Sequence, residues 1–445
     1  GYGKVQPELV KRFEDFIEIK SNGIIFDRKR YGFTSVNLQK IKPKEYNRGK
    51  IFNSYPSDTN ILRVSSSYLP HDIAATGEMV FVNSILSLLK QLKKYTKLKK
   101  IVFSGGIFQN VSLNNSILES GIFEHVYFPM ASADSGLSLG AALFIENKYK
   151  KRKRKTLLTP LLGPSFSDIE IKKLLDQSRI KYVKDNHIEK TVAKLINDGK
   201  TVGWFQGRAE YGPRSLGSRS ILADPRKFES KSRINQLLKK RDWFMPYAPS
   251  ILEEYMDEFV INPNPSPYMQ IAFKIKDNKK NSIPAAVHVD GTSRIHTVSK
   301  TVNQKYWNLI NEFRLLTGLP IVLNTSFNRH HIPTISEPRQ ALEHLLDGCM
   351  DYLAINDYLI SFDDNRIATE PFKNEETESY SLKHDCIKRL ITLLEIEKDK
   401  KSIVQYVKNL SELLNTDLSF DGQTFKLEGK NVKQSEIQNM LLAVL

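Results

Sequence analysis

The chain is poor in cysteine. Two occur in 445 residues, Cys349 and Cys386, far apart and outside any CxxC or Cys/His cluster. That spacing excludes a disulfide scaffold and a zinc module, and it fits a reducing cytoplasm. Long apolar runs are also missing: none approaches the roughly 18 residues of a membrane span, so a membrane protein is not expected. No signal-peptide pattern is present, and the chain opens at Gly1-Tyr2-Gly3 without methionine, as if something upstream had been removed. Acidic residues are in deficit, with 50 Asp+Glu against 66 Lys+Arg and a formal charge of +16 at pH 7. The excess is lysine, 46 Lys to 20 Arg. It reflects either a codon bias, since Ile and Asn are also abundant, or an electrostatic footprint for a polyanion such as DNA or RNA.

What remains is globular text: 40% hydrophobic residues, enough length for two or three domains, and no internal repeat. A helix is expected near Pro7–Ile17 and a longer one over Asp72–Leu98, where Ile73, Met79, Val80, Ile85, Leu88, Leu89 and Leu92 recur near a period of 3.6. Strands at Ile101–Phe103 and His125–Phe128 then alternate with helical segments, an α/β signature. The basic run Lys148–Lys155 reads as a linker or a polyanion contact. Beyond it, helices are expected near Asp168–Gln177, Ile188–Asn197, Glu229–Leu238 and Pro338–Leu346. Strands are expected at Lys181–Val183, Thr201–Gln206, Ile321–Leu323 and Tyr352–Ile355. After Arg366 the text turns charged and helical, as at Ile387–Leu394 and Ile403–Leu414.

Several turns carry residues suited to chemistry. SGGIFQN, residues 104–110, places paired glycines at a strand end, where backbone can approach an anion, though such a pair is also a plain turn. Asp134-Ser135-Gly136 follows the next strand at the same sheet edge, where ligands of parallel sheets bind; Asp134 either holds a metal or ribose hydroxyl or caps the next helix. In GRAEYGPRSLGSRSILADPR, Arg208, Arg214 and Arg219 stand among glycines, with Trp204, Phe205 and Tyr211 nearby. Arginine suits planar recognition of carboxylate or phosphate, and the composition points to a partly buried anion site. Arg241 has Trp243 and Phe244 beside it. HVDGTSR joins His288, Asp290 and Arg294 on one turn, and Asn324-Thr325-Ser326-Phe327-Asn328 offers short polar side chains at a strand end.

Taken in order over residues 68–360, SGGIFQNVSLNN, ASADSGLSLGAAL, LLGPSFSDIEI, GWFQGRAEYGPRSLGSRSILADPR, KKRDWFMPYAPSILEE, HVDGTSRIHTV and LNTSFN resemble the family of Nod-factor and antibiotic O-carbamoyltransferases. The resemblance implies an α/β chain in four parts. These are the C-terminal part of an incomplete actin-like (ASKHA) ATPase domain over 1–147, a basic linker over 148–160, a YrdC-like domain over 161–366 and a helical extension over 367–445. It implies ATP and carbamoyl phosphate as co-substrates: the YrdC-like domain makes carbamoyl-adenylate, and the actin-like domain passes the carbamoyl group to an acceptor hydroxyl near a divalent metal, Fe2+, with Mg2+ accompanying ATP. Gly105, Gly106, Asn110 and Gly136 then lie on the adenylate and Asp134 on the metal. Arg208, Arg214, Arg241, Arg294, Ser326 and Asn328 line the carbamoyl phosphate and ATP site, with Arg208, Arg241 and His288 in catalytic roles.

The family's first half, including a histidine pair that completes its metal site, has no counterpart in this text, which enters at a GLAPYGK-like element, Gly1-Tyr2-Gly3-Lys4. The expectation is that the chain is a fragment, or that another chain or a preceding segment supplies the rest. The acceptors the family offers are sugars, antibiotics and, in a viral branch, 5-hydroxymethylcytosine in DNA; the lysine excess favours DNA over a small-molecule hydroxyl. Threonylcarbamoyl transfer to tRNA and a non-catalytic nucleic-acid-binding remnant are the alternatives.

Overall fold

The computed structural model describes residues 3–14, 17–20, 23–26, 68–149, 159–239, 245, 247–329, 332–365, 407, 418–420, 425–427 and 430–432. Arg241, most of the Lys148–Lys155 run, the Ile387–Leu394 segment and all of Ile403–Leu414 except residue 407 lie outside them. Two units separate by contact, Gly1–Asn60 with His71–Arg366, and Ile61–Pro70 with Ile367–Leu445.

In the larger unit, a helix at Pro7–Glu14 precedes the hairpin β1 (Ile17–Lys20) and β2 (Gly23–Phe26). The helix stops before Ile17, which the sequence reading had included, because Ile17 opens β1. The opening segment docks on the start of the Pro70–Thr96 helix. Asp72 accepts from the Lys4 amide at 2.7 Å and the Gln6 side chain at 2.6 Å, and Gly3 lies so close that a Cβ would stand 1.9 Å from the His71 carbonyl oxygen. The Lys4 bond, chiefly, holds the Asp72 carboxyl below the ordinary aspartate value.

That helix corrects one expectation. An 18-residue window within His71–Thr96 has a mean hydropathy of 1.3, apolar and long enough to cross a membrane by length and composition. Ala, Thr, Gly, Asn and Ser interrupt its apolar residues, so no unbroken run shows in the text. Its Leu89 is buried with Phe103, Phe108, Leu113, Ile117 and Phe128, against the parallel pair β3 (Lys100–Val102) and β4 (His125–Tyr127) and the helix Val111–Glu119. The helix Gly136–Tyr149 follows, with no buried residue; Leu137 is 72% and Phe144 59% exposed.

Beyond residue 159 the structure is a mixed sheet. Its strands are β5 (Val183–Lys184), β6 (Val202–Phe205), β7 (Arg219–Ala223), β8 (Ala248–Leu252), β11 (His296–Val298), β12 (Ile321–Ser326), β13 (Tyr352–Ile355) and β14 (Tyr358–Ser361), in the order β11-β8-β12-β7-β6-β13-β14-β5. β11 pairs parallel with β8 and β13 with β6; the other ladders are antiparallel. A short ladder, β9 (Ala272–Lys274) with β10 (Thr292–Arg294), stands beside it. Helices Ile188–Asn197 and Gln304–Thr317 bury Ile196, Tyr306 and Phe313 with Trp204 and Leu222, while Asp168–Gln177 and Pro338–Leu346 bury Leu175 and Leu345 with Phe205 and Ile221. Alternate residues of β6 thus feed opposite layers, and each fully buried large apolar side chain contributes about 1.5–3 kcal/mol. Gly203 is needed there: a Cβ would meet the Met350 sulfur at 2.5 Å.

The helix expected over Glu229–Leu238 is instead Phe228–Ile234 continued by a wider π-type turn, Asn235–Lys239, which turns Lys239 inward. In the smaller unit, residue 407 is helical, and β15 (Leu418–Phe420), β16 (Phe425–Leu427) and β17 (Lys430–Val432) pair antiparallel in that order.

Candidate active site

Two turns share the C-terminal edge of the β3–β4 pair. After β3, Gly105 has φ +122 and its amide donates to the Ser132 carbonyl at 2.7 Å, which joins the two turns. Around Gly105 and Gly106 a Cβ would meet nothing within 4 Å, so the backbone there faces open space. Asn110 caps the Val111–Glu119 helix: its side-chain oxygen accepts from the Ser112 and Leu113 amides and its amide donates to Glu78 at 2.8 Å. After β4, Gly136 packs so tightly that a Cβ would stand 2.1 Å from the Ala131 carbonyl oxygen. A groove of about 610 Å3 runs from Ser104 past Ala133 and Gly136 to Phe144, with mainly apolar walls. Asp134 is exposed, and among the described residues no group of three or more His, Cys, Asp or Glu stands together to hold a metal. A lone exposed carboxylate does not fit a resident Fe2+, and no chemistry is routed through one.

The Gly/Arg loop takes Arg219 out of the anion site expected there. Arg219 opens β7 fully buried; its guanidinium donates to the carbonyls of Gln206, Ser218, Pro164 and Gly207 at 3.0–3.2 Å and stacks 3.6 Å above the Phe205 ring. Burial lowers its pKa to about 10. These groups hold the loop's base together, so Arg219 is spent on structure. Arg208 is exposed and donates to the carbonyls of Gly163 and Leu162 at 2.9 and 2.6 Å, leaving further guanidinium donors. Arg214 is half-buried at the loop's apex, where its side chain is engaged. One oxygen of Glu210 accepts from the amides of Leu216, Ser218 and Arg219 at 2.7, 2.7 and 3.1 Å, closing the loop on itself. Gly217, at φ +93, passes beneath Tyr306, whose ring a Cβ would overlap at 2.1 Å.

Sequence reasoning missed the group that organises the β12 turn. Lys239 is fully buried, and its ammonium lies 2.7–2.9 Å from four acceptors: the carbonyl and hydroxyl of Ser326, and the carbonyl and side-chain oxygen of Asn328. The Ser326 hydroxyl donates in turn to the Asn328 side-chain oxygen at 2.5 Å, so three ammonium N–H groups and one O–H serve the four acceptors and the cluster is closed. The signal available in the text was its place two residues before Arg241. Ser326 and Asn328 thus meet around a cation rather than on an open turn.

His288 sits in a relay. Thr292 donates its one hydroxyl proton to Asp290 at 2.7 Å, so at 2.9 Å from His288 it can only accept, which assigns the proton to Nδ1. The Nε2 atom is buried and, among the described residues, has no partner. Burial lowers the His288 pKa to about 4, with Arg294 and Lys231 adding to the effect and Asp290 opposing it. The ring is therefore neutral at pH 7 and presents a bare lone pair. Arg294, on β10, is half-buried and engaged.

Two family models match the chain, one described as carbamoyltransferase N-terminus over residues 2–143 and one as carbamoyltransferase C-terminus over 193–361. The chain belongs to the carbamoyltransferase family. It is 37% identical over 296 residues to nodulation protein NolNO of Sinorhizobium fredii, covering 65% of this chain and 44% of that protein. To nodulation protein NolO of Bradyrhizobium diazoefficiens it is 35% identical over 296 residues, covering 65% and 54%. The chain thus spans about half the length of these curated relatives. A crystal structure of full-length HypF in a phosphate- and nucleotide-bound form is similar over 40% of this chain and 22% of that one, at 19% identity and a TM-score of 0.28. Within the family's C-terminal region fall the Gly/Arg loop, Lys239, the His288 relay and the β12 turn; Gly105, Gly106, Asn110, Asp134 and Gly136 fall within its N-terminal region.

Proposed function

We propose that this chain makes carbamoyl-adenylate from carbamoyl phosphate and ATP and serves in passing the carbamoyl group to an acceptor hydroxyl. Water would hydrolyse carbamoyl phosphate to carbamate and inorganic phosphate; a carbamate oxygen would then attack the α-phosphorus of ATP, and pyrophosphate would leave. Displacement at phosphorus asks for positioning and charge neutralisation more than for a nucleophilic side chain. The Lys239 cradle at Ser326 and Asn328, a buried cation fixed at the β12 turn inside the family's C-terminal region, is the observation that carries this reading. Arg208, Arg214, Arg241 and Arg294 would neutralise the anions, and the bare Nε2 of His288 would accept a hydrogen bond or proton at the carbamate. On the β3–β4 edge, the open backbone at Gly105 and Gly106 would receive the adenylate beside Gly136, with Asn110 holding the helix that follows. The domains that house the two steps would be the YrdC-like and actin-like ones, in a cytoplasmic enzyme.

For the acceptor, one surface favours a polyanion. Lys90, Lys94, Lys97, Lys99 and Lys100 are all exposed within 11 residues, with Glu124 on Lys99 as a counter-charge at 3.0 Å. The proposed acceptor is 5-hydroxymethylcytosine in DNA, with a sugar or natural-product hydroxyl as the second reading. The test is pyrophosphate release from ATP, with and without carbamoyl phosphate, and then mass analysis of nucleosides from hydroxymethylated DNA. Carbamoyl-phosphate-dependent release is expected. Its absence overturns the reading, and release that requires bicarbonate and threonine instead would assign the chain to threonylcarbamoyl chemistry. A nucleoside heavier by one CONH supports the DNA acceptor; release without that gain moves the acceptor to a small molecule.

A further inference from the structure

Tyr211 lies in the Gly/Arg loop, but its hydroxyl is bonded outside it, donating to the Ser135 carbonyl and meeting the Ser138 hydroxyl at 2.7 Å. Ser135 follows Asp134 in the turn after β4, and Ser138 stands in the first turn of the helix that leaves it. The adjoining Gly212, at φ +113, lies so near that turn that a Cβ would stand 2.6 Å from the Met130 carbonyl oxygen. Met130, Ala131 and Leu216 share one buried cluster, with Tyr211 and Leu139 packed on it. The loop is stiff on its own side, because Glu210 gathers three of its amides and Arg219 four carbonyls at its base. A shift of the loop around Arg214 therefore has little room to dissipate internally and is passed to the Asp134 turn, as motion passes between tightly packed elements.

We propose that Tyr211 is a positioning residue that transmits occupancy of the Arg214 loop to the Asp134 turn, so that the second step is arranged when the first holds its anion. The proposal rests on the carbamoyl-transfer reading. It predicts a ligand-dependent effect at a distance, which a merely structural hydrogen bond does not give.

The test is amide hydrogen exchange on the whole chain, with and without carbamoyl phosphate, in wild type and Tyr211→Phe. In wild type, carbamoyl phosphate is expected to slow exchange over residues 207–219 and also over 130–140, the latter about fivefold, the equivalent of one hydrogen bond of about 1 kcal/mol. In Tyr211→Phe the first effect stays and the second is lost. The proposal is overturned if 130–140 does not respond in wild type, if it responds equally in the variant, or if the variant speeds its exchange by the same factor with and without ligand. If wild type shows neither protection over 207–219 nor pyrophosphate release, the carbamoyl-transfer reading itself has failed, which the other outcomes do not imply.

Discussion

The β3–β4 pair and the eight-stranded sheet belong to one unit, yet they treat their side chains differently. No residue of β3 or β4 is buried, and Val102 is 67% exposed; every residue of β6, β7 and β8 is buried. A parallel pair of this size is marginal alone and leans on its neighbours. Asn114 donates to the Gln270 carbonyl at 2.9 Å and Gln270 to the Pro129 carbonyl at 2.5 Å, which ties it to the region beyond residue 159. The difference decides what kind of group can do chemistry in each place. Beyond residue 159 a buried polar side chain must find its partners within the protein, so Lys239 and Arg219 are each held by four oxygens. At the β3–β4 edge water can replace a partner, and the candidate groups are glycine backbone and an exposed Asp134.

The sharpest way to break that contrast is Lys239→Met. Removing the buried ammonium takes a charged donor from the carbonyl oxygens of Ser326 and Asn328, and a loss of about 3 kcal/mol in unfolding free energy is expected. Carbamoyl-phosphate-dependent pyrophosphate release should disappear with it. Denaturant melts read the first effect and a coupled pyrophosphate assay the second. An unchanged melt would show that the β12 turn stands without Lys239, and the buried region would then tolerate change as the exposed one does.

A pH titration of stability tests the same contrast at lower cost per group. His288 and His296 have folded pKa values lowered by burial to about 4 and about 3, from an ordinary value near 6.5. Both are depressed, so between pH 6.5 and 4 the unfolded chain binds protons that the folded chain refuses. Stability is complete above pH 6.5 and falls as the pH drops, by up to about 1.4 kcal/mol per pH unit for each such group. Both histidines stand beyond residue 159, whereas in the first region Asp72 is held low by the Lys4 amide and loses its contribution only below the ordinary aspartate range. Exchange-resolved stabilities should therefore show the large sheet weakening first on acidification, and His296→Asn should remove one proton's worth of the slope. Equal slopes in the two regions would contradict the assignment.

Much of this was legible in the text where a local rule operates. The helices Ile188–Asn197 and Pro338–Leu346 and the strand Tyr352–Ile355 stand where periodicity and flanking residues put them. The Gly105 and Asp134 turns share one sheet edge, as alternation of strand and helix implied. What escaped was set by partners far along the chain. Arg219 reads as one more loop arginine until Pro164 and Phe205 close on it, and Lys239 reads as a surface lysine until a wider helical turn points it at residues 87 and 89 positions away. The strands Leu418–Phe420, Phe425–Leu427 and Lys430–Val432 escaped for a different reason, since each is three residues long and stands in charged text.

The smallest effect gives the most direct comparison, because one substitution can be made in both sheets. Valine to threonine keeps the shape and adds a hydroxyl. At Val202, fully buried in β6, the hydroxyl loses water, and a cost of about 1–3 kcal/mol is expected. At Val102, two-thirds exposed in β3, the hydroxyl stays hydrated, and the change should lie within about 0.5 kcal/mol. Paired denaturant melts of Val202→Thr and Val102→Thr measure both. A cost at Val102 equal to that at Val202 would mean that the outer face of the β3–β4 pair is covered in solution, and the freedom argued for the Gly105 and Asp134 turns would go with it.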